Sequence, residues 1–108
     1  MPPGQEEVAR AFYGPVLGLT EIAKPAVLAA RGGAWFRGDG IELHLGVEED
    51  FRPAAKAHPG LLVADIDERA GRLERAGYLV RWDGGFPGMR RCYTADPFGN
   101  RLELLQPL

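Results

Sequence analysis

Tyr93-Thr94-Ala95-Asp96-Pro97-Phe98-Gly99-Asn100-Arg101-Leu102-Glu103 is the stretch that decides how this chain folds. Asp96-Pro97-Phe98-Gly99 is a turn with a mechanism: the carboxylate bonds nearby backbone, proline fixes φ, and glycine tolerates the exit geometry. Strands are therefore expected on either side, over 91–95 and 101–106. Alternation sends Leu102 and Leu104 to a packed face and leaves Arg101, Glu103 and Leu105 on the other. On the preceding strand Cys92 joins the packed side as a small buried thiol, while Arg91 and Tyr93 look the opposite way.

Outward from this hairpin the same logic places strands at 61–66 and 78–82. Between them a helix runs from Asp67, a plausible N-cap, to Gly77. The earlier half reads helix (5–14) and then strands at 25–30, 34–37 and 41–47, with Gly38-Asp39-Gly40 as a tight turn. Laying Gly40-Ile41-Glu42-Leu43-His44 over Gly99-Asn100-Arg101-Leu102-Glu103 makes the halves copies of one plan. The modules cover about 1–50 and 57–108. The opening strand of the first either is absent or lies upstream of Met1.

Composition narrows the function. The 108 residues carry a net charge of −2, which argues against non-specific nucleic-acid binding. No apolar run approaches the roughly 20 residues of a membrane span. Met1–Glu7 has neither the basic end nor the apolar stretch of a signal peptide, and a lone cysteine fits a reducing compartment, so a cytoplasmic protein is expected. There is no serine, which removes every serine-nucleophile mechanism. Strand parity puts His44, beside Glu42, on a helix-free face, and does the same for His58 and Glu103. If the two sheets curve toward each other, two imidazoles and a carboxylate meet in one groove, a donor set suited to a divalent transition metal. The plainer readings are a half-exposed strand histidine at His44, a turn residue at His58, and Glu103 paired with Arg91 or Arg101.

Ala11-Phe12-Tyr13-Gly14-Pro15-Val16-Leu17-Gly18-Leu19, His58 with Val63-Ala64-Asp65-Ile66-Asp67, and the Asp96–Glu103 segment together resemble the vicinal oxygen chelate superfamily. That superfamily includes glyoxalase I, extradiol dioxygenases, and fosfomycin- and bleomycin-resistance proteins. The resemblance implies an α+β fold of two βαβββ modules forming a cupped, mixed or antiparallel sheet, the first module lacking its first strand. It implies a divalent metal ion (Zn, Ni, Mn or Fe) on His44, His58 and Glu103, with no counterpart for the first-strand ligand. Glu103 is then the candidate base and Tyr93 the residue that orients substrate. Arg91 and Phe36 are further candidate substrate contacts, although Phe36, like Trp35 and Trp82, also suits a core. The implied activity is lyase, isomerase or dioxygenase chemistry on a small oxygen-rich substrate. The alternative is metal-free sequestration of a drug, for which Trp35, Trp82 and Tyr93 offer aromatic surface. Exposed strand edges predict a homodimer.

Overall fold

The computed structural model describes residues 1–38 and 40–108, which divide into two units, 1–52 and 53–108. Asp39 lies outside the described residues, and with it the middle of the expected Gly38-Asp39-Gly40 turn.

In the first unit α1 (Glu6–Ala11) opens with Glu6 and Glu7, which suit the positive end of its dipole. It does not stop at Gly14 as the sequence predicts. A π-helical turn continues over Phe12–Val16, with Pro15 inside it. Pro15 cannot donate a hydrogen bond. The wider turn bypasses it: Leu17 N–H reaches Phe12 O at 2.8 Å and Leu19 N–H reaches Tyr13 O at 2.9 Å. Strands β1 (Thr20–Ile22), β2 (Ala34–Gly38) and β3 (Ile41–Leu45) form an antiparallel sheet in the order β1-β2-β3. The strand expected at 25–30 is instead a short helix, α2 (Ala26–Ala29). Pro25 supplies its N-cap and accepts from Leu28 and Ala29 N–H, and the apolar run Ala-Val-Leu-Ala has no alternation to hold it extended. The slot beside β2 is filled by Thr20–Ile22, paired from Thr20↔Arg37 to Ile22↔Trp35.

Ala34 and Phe36 point from β2 into the core, where the Phe36 ring stacks on Tyr13 at 5.3 Å and Tyr13 meets Phe12 edge-on at 4.9 Å. Gly33, at φ +83°, passes so close to the Leu45 carbonyl that any Cβ would collide with it. Beyond β3, the Met1 amino group donates to Gly46 O at 2.8 Å, and Glu48 N–H donates to Met1 O at 3.0 Å.

The second unit runs β4 (Gly60–Leu62), α3 (Ile66–Arg75), β5 (Arg81–Asp83), β6 (Met89–Ala95) and β7 (Arg101–Pro107), the βαβββ order expected. The sheet order is β4-β7-β6-β5, with β4 parallel to β7 and the other pairs antiparallel. The strand predicted over 61–66 ends early because Asp65, not Asp67, caps α3, accepting from Glu68 N–H at 3.1 Å. Ile66 thereby becomes helical and, with Ala70 and Leu73, packs the apolar side of α3 on the sheet. Cys92, Leu102 and Leu104 are fully buried on that side. Each Leu or Ile so buried contributes roughly 1.5–3 kcal/mol. Val63 N–H donates to Leu105 O at 2.9 Å, the same relation that Met1 holds to Gly46 in the first unit.

Candidate functional site

Register across the second sheet builds the face away from α3. One row reads Arg81, Tyr93, Glu103, Gly60, and the next reads Asp83, Arg91, Leu105, Leu62. The turn described above fixes that register. Asp96 Oδ1 accepts from Phe98 N–H (2.9 Å) and Asn100 N–H (2.8 Å), and Oδ2 accepts from the Asn100 side-chain amide (2.8 Å).

Glu103 is the buried acid of the face, 7% exposed. His58, just ahead of β4, brings Nε2 to within 2.8 Å of Glu103 Oε1, while its Nδ1 lies 2.7 Å from the Lys56 carbonyl oxygen. Pro59 O, which accepts from Glu103 N–H at 3.1 Å, ties the two segments together. Arg91 donates to Glu103 Oε2 at 3.2 Å and to Asp83 Oδ1 at 3.0 Å. The hydrogen bond to Asp83, with a smaller share from Glu103, raises the Arg91 pKa. The Gly85 N–H first, and Arg91 second, hold the Asp83 carboxyl below its ordinary range. Tyr93 sits amid these groups. Its ring centroid lies 5.6 Å from that of His58, 5.3 Å from the Arg91 guanidinium and 4.4 Å from that of Arg101.

The sequence-predicted residues His58, Glu103, Tyr93 and Arg91 therefore come together. Arg91, a candidate substrate contact, already has two carboxylate partners. His44 belongs to the first unit, where its exposed ring stacks on Trp35 at 3.6 Å and its Nε2 lies 3.1 Å from Glu42 Oε2. Glu42 is lowered first by Arg37 and then by His44. Phe36, named above as a candidate substrate contact and also as suiting a core, is 1% exposed and packed on Tyr13, a core residue of its unit. Among the described residues no group of three or more His, Cys, Asp or Glu side chains is arranged to hold a metal ion. Cys92, on the packed side, has its thiol pushed up to about 11 by burial, so it is not a nucleophile at neutral pH. Sequence reasoning missed the Lys56 carbonyl, a main-chain group with no side-chain signature. It also missed Arg81, whose place beside Tyr93 depends on the pairing of β5.

No family model and no curated protein sequence matches the chain. Solved structures do. A protein from Bacillus anthracis, described as of the glyoxalase family, is 46% identical with a TM-score of 0.94, covering 100% of this chain and 88% of that one. TnmS3, an antibiotic binding protein from Streptomyces sp. CB03234, is 26% identical with a TM-score of 0.74 over 100% of this chain and 91% of its own. The fosfomycin resistance protein FosX from Listeria monocytogenes shares the fold at 16% identity and a TM-score of 0.72, over 94% and 84% of the two chains.

Proposed function

The chain belongs to the glyoxalase family, and on that premise we propose that its second unit acts on a small oxygen-rich molecule, with His58 and Glu103 at the reacting end as the residues that would hold a divalent metal ion. The hydrogen bonding of the His58 ring carries this reading. Facing a carbonyl oxygen, Nδ1 can only donate. Nε2, the ring's other nitrogen, lies 2.8 Å from a carboxylate oxygen, so the pair presents one nitrogen and one oxygen donor side by side to a shared cation. Metal-bound histidines hold their second nitrogen on a carbonyl or carboxylate in this way. His58 through Nε2 and Glu103 through Oε1 would hold the ion, and so small a donor set leaves positions for two substrate oxygens. When bound, such an ion polarises a substrate carbonyl and stabilises the enolate or alkoxide that develops.

The chain's own residues supply the rest. Arg91 fixes the Glu103 carboxylate through Oε2, so the group that accepts a substrate proton does not swing away. Asp83 in turn holds Arg91. Tyr93, beside Glu103 in the cross-strand row, orients the substrate. Burial of Glu103 keeps bulk water from competing for its charge.

Calorimetric titration with Zn, Ni, Mn and Fe tests this. The native protein is expected to take up metal, and His58→Ala and Glu103→Ala are each expected to abolish uptake. An absence of uptake by the native protein refutes the metal. The second reading then stands: metal-free binding of a small molecule on the same face, with a proton between His58 and Glu103. It is favoured by the lack of a three-residue ligand group among the described residues.

A further inference from the structure

At one end of this face a cleft of about 630 Å³ opens where β5 leaves the sheet, within the roughly 300–1,000 Å³ of small-molecule sites. Leu79, Val80, Ala55 and Ala95 give it an apolar lining, and Tyr93 forms part of its wall. Leu79 is 89% exposed, so its side chain is free to meet a bound molecule. Thr94 borders the cleft as well, and its buried hydroxyl has no hydrogen-bond partner among the described residues.

Two guanidinium groups also line the cleft. Arg81 is the cross-strand neighbour of Tyr93, and Arg101 lies over the Tyr93 ring at 4.4 Å. Among the described residues neither has a carboxylate within ion-pair distance. The acids of the face are taken up elsewhere: Asp83 and Glu103 both bind Arg91, and Glu103 also binds His58. Arg81 acts on Asp83 only weakly and through space, behind the Gly85 N–H and Arg91. The face thus carries two uncommitted cations beside an apolar wall, an arrangement that recognises an amphipathic anion. The contact with the Tyr93 ring at 4.4 Å restrains the Arg101 guanidinium, which limits the ordering cost of binding.

We propose that this cleft receives a small carboxylate with an apolar body, its carboxylate on Arg81 and Arg101 and its apolar part on Leu79, Val80 and Ala55. Arg101 and His58 both lie against the Tyr93 ring, so an acid seated here extends toward the His58–Glu103 pair. The inference rests on reading this face as the substrate-binding face, but not on any metal.

The test uses the full chain in a metal chelator, with phenylacetate and the uncharged phenylacetamide as probes, followed by calorimetry and by amide chemical shifts. Phenylacetate is expected to bind at least about tenfold more tightly than phenylacetamide. It is expected to shift the amides of 79–81 and 93–95. Arg81→Gln and Arg101→Gln are each expected to remove that preference while thermal unfolding stays cooperative. Arg81 lies on the exposed end of β5, so its variant keeps the test open should Arg101→Gln fail to fold. Equal affinities for the two probes, shifts confined to other segments, or a preference that survives both variants would overturn the assignment. Because chelator is present throughout, failure here is separate from failure to take up metal.

Discussion

Replacing Asp96 with alanine removes three hydrogen bonds at once: two from the backbone N–H groups of Phe98 and Asn100 and one from the Asn100 side chain. Asp96 is 5% exposed, so its carboxylate is shielded from competing water. Hydrogen bonds to a charged acceptor contribute about 1.5–3 kcal/mol each, and they overlap when one side chain makes several. Asn100 and Phe98 are only half-buried, so water can reach part of what is left unpaired. The loss is therefore expected at roughly 2–4 kcal/mol, or about 10–25 °C in Tm for a unit of this size. Asp96→Asn keeps one oxygen for the backbone but sets an amide against the Asn100 amide, and is expected to cost about 1–2 kcal/mol. Thermal and urea unfolding followed by circular dichroism measure both. A loss below about 0.5 kcal/mol for the alanine variant, the scatter of ordinary surface changes, refutes the account of the turn. So does an asparagine variant as damaged as the alanine one. Since the turn sets the pairing Tyr93↔Glu103, the alanine variant is also expected to weaken any ligand binding on that face.

Cys92 is expected to resist alkylation by iodoacetamide at pH 8 in the folded protein and to react readily in urea; rapid labelling of the native chain contradicts its burial. Its thiol titrates near 9.0 when exposed and at about 11 in the fold, so this group's contribution to stability is full below pH 9. That contribution falls as pH rises through 11, a trend that Cys92→Ala should lessen in pH-dependent unfolding curves. Gly33→Ala is expected to leave little folded protein, since the new methyl meets the Leu45 carbonyl at a positive φ; a near-native Tm for that variant refutes the steric reading. Light scattering is expected to report a dimer, because among the described residues no strand of the first unit pairs with the outer edge of β3; a monomer at micromolar concentration rules this out.

Much of the site was legible before any coordinates, for a simple reason. Side-chain alternation along a strand is a local property, so the sequence alone put Arg91, Tyr93 and Glu103 on one face and Cys92, Leu102 and Leu104 on the other. The Asp96 turn was legible because its chemistry lies within five residues. Residues 25–30 misled because a short apolar run fits either a strand or a helical turn, and Pro25 decides only once its carbonyl finds partners. β1, with the pattern Thr-Glu-Ile, is too short to declare itself and exists by pairing with β2. The choice of Asp65 over Asp67 as helix cap turned on one hydrogen bond, while Asp67 instead binds Arg90 at 2.6 Å. The commitments of Arg91, which decide which arginines are left for a ligand, depend on β5 arriving beside β6, and no local signal reports that.

β4 is three residues long and lies at the border of its sheet, joined to a partner more than forty positions later in the chain. Such a segment is expected to dock after the intervening helix and hairpin, because the local contacts of those elements close shorter loops. The imidazole–carboxylate couple is therefore assembled late in folding. It is also prone to fraying, since short edge strands open at far lower free energy than the global transition. In hydrogen exchange, the amides of 61–63 and of Glu103, which donates to Pro59 O, should lose protection well before those of Leu102 and Leu104, and a compound bridging His58 and Glu103 should slow that opening. The pairing of His58 with Glu103 would then hinge on a three-residue latch.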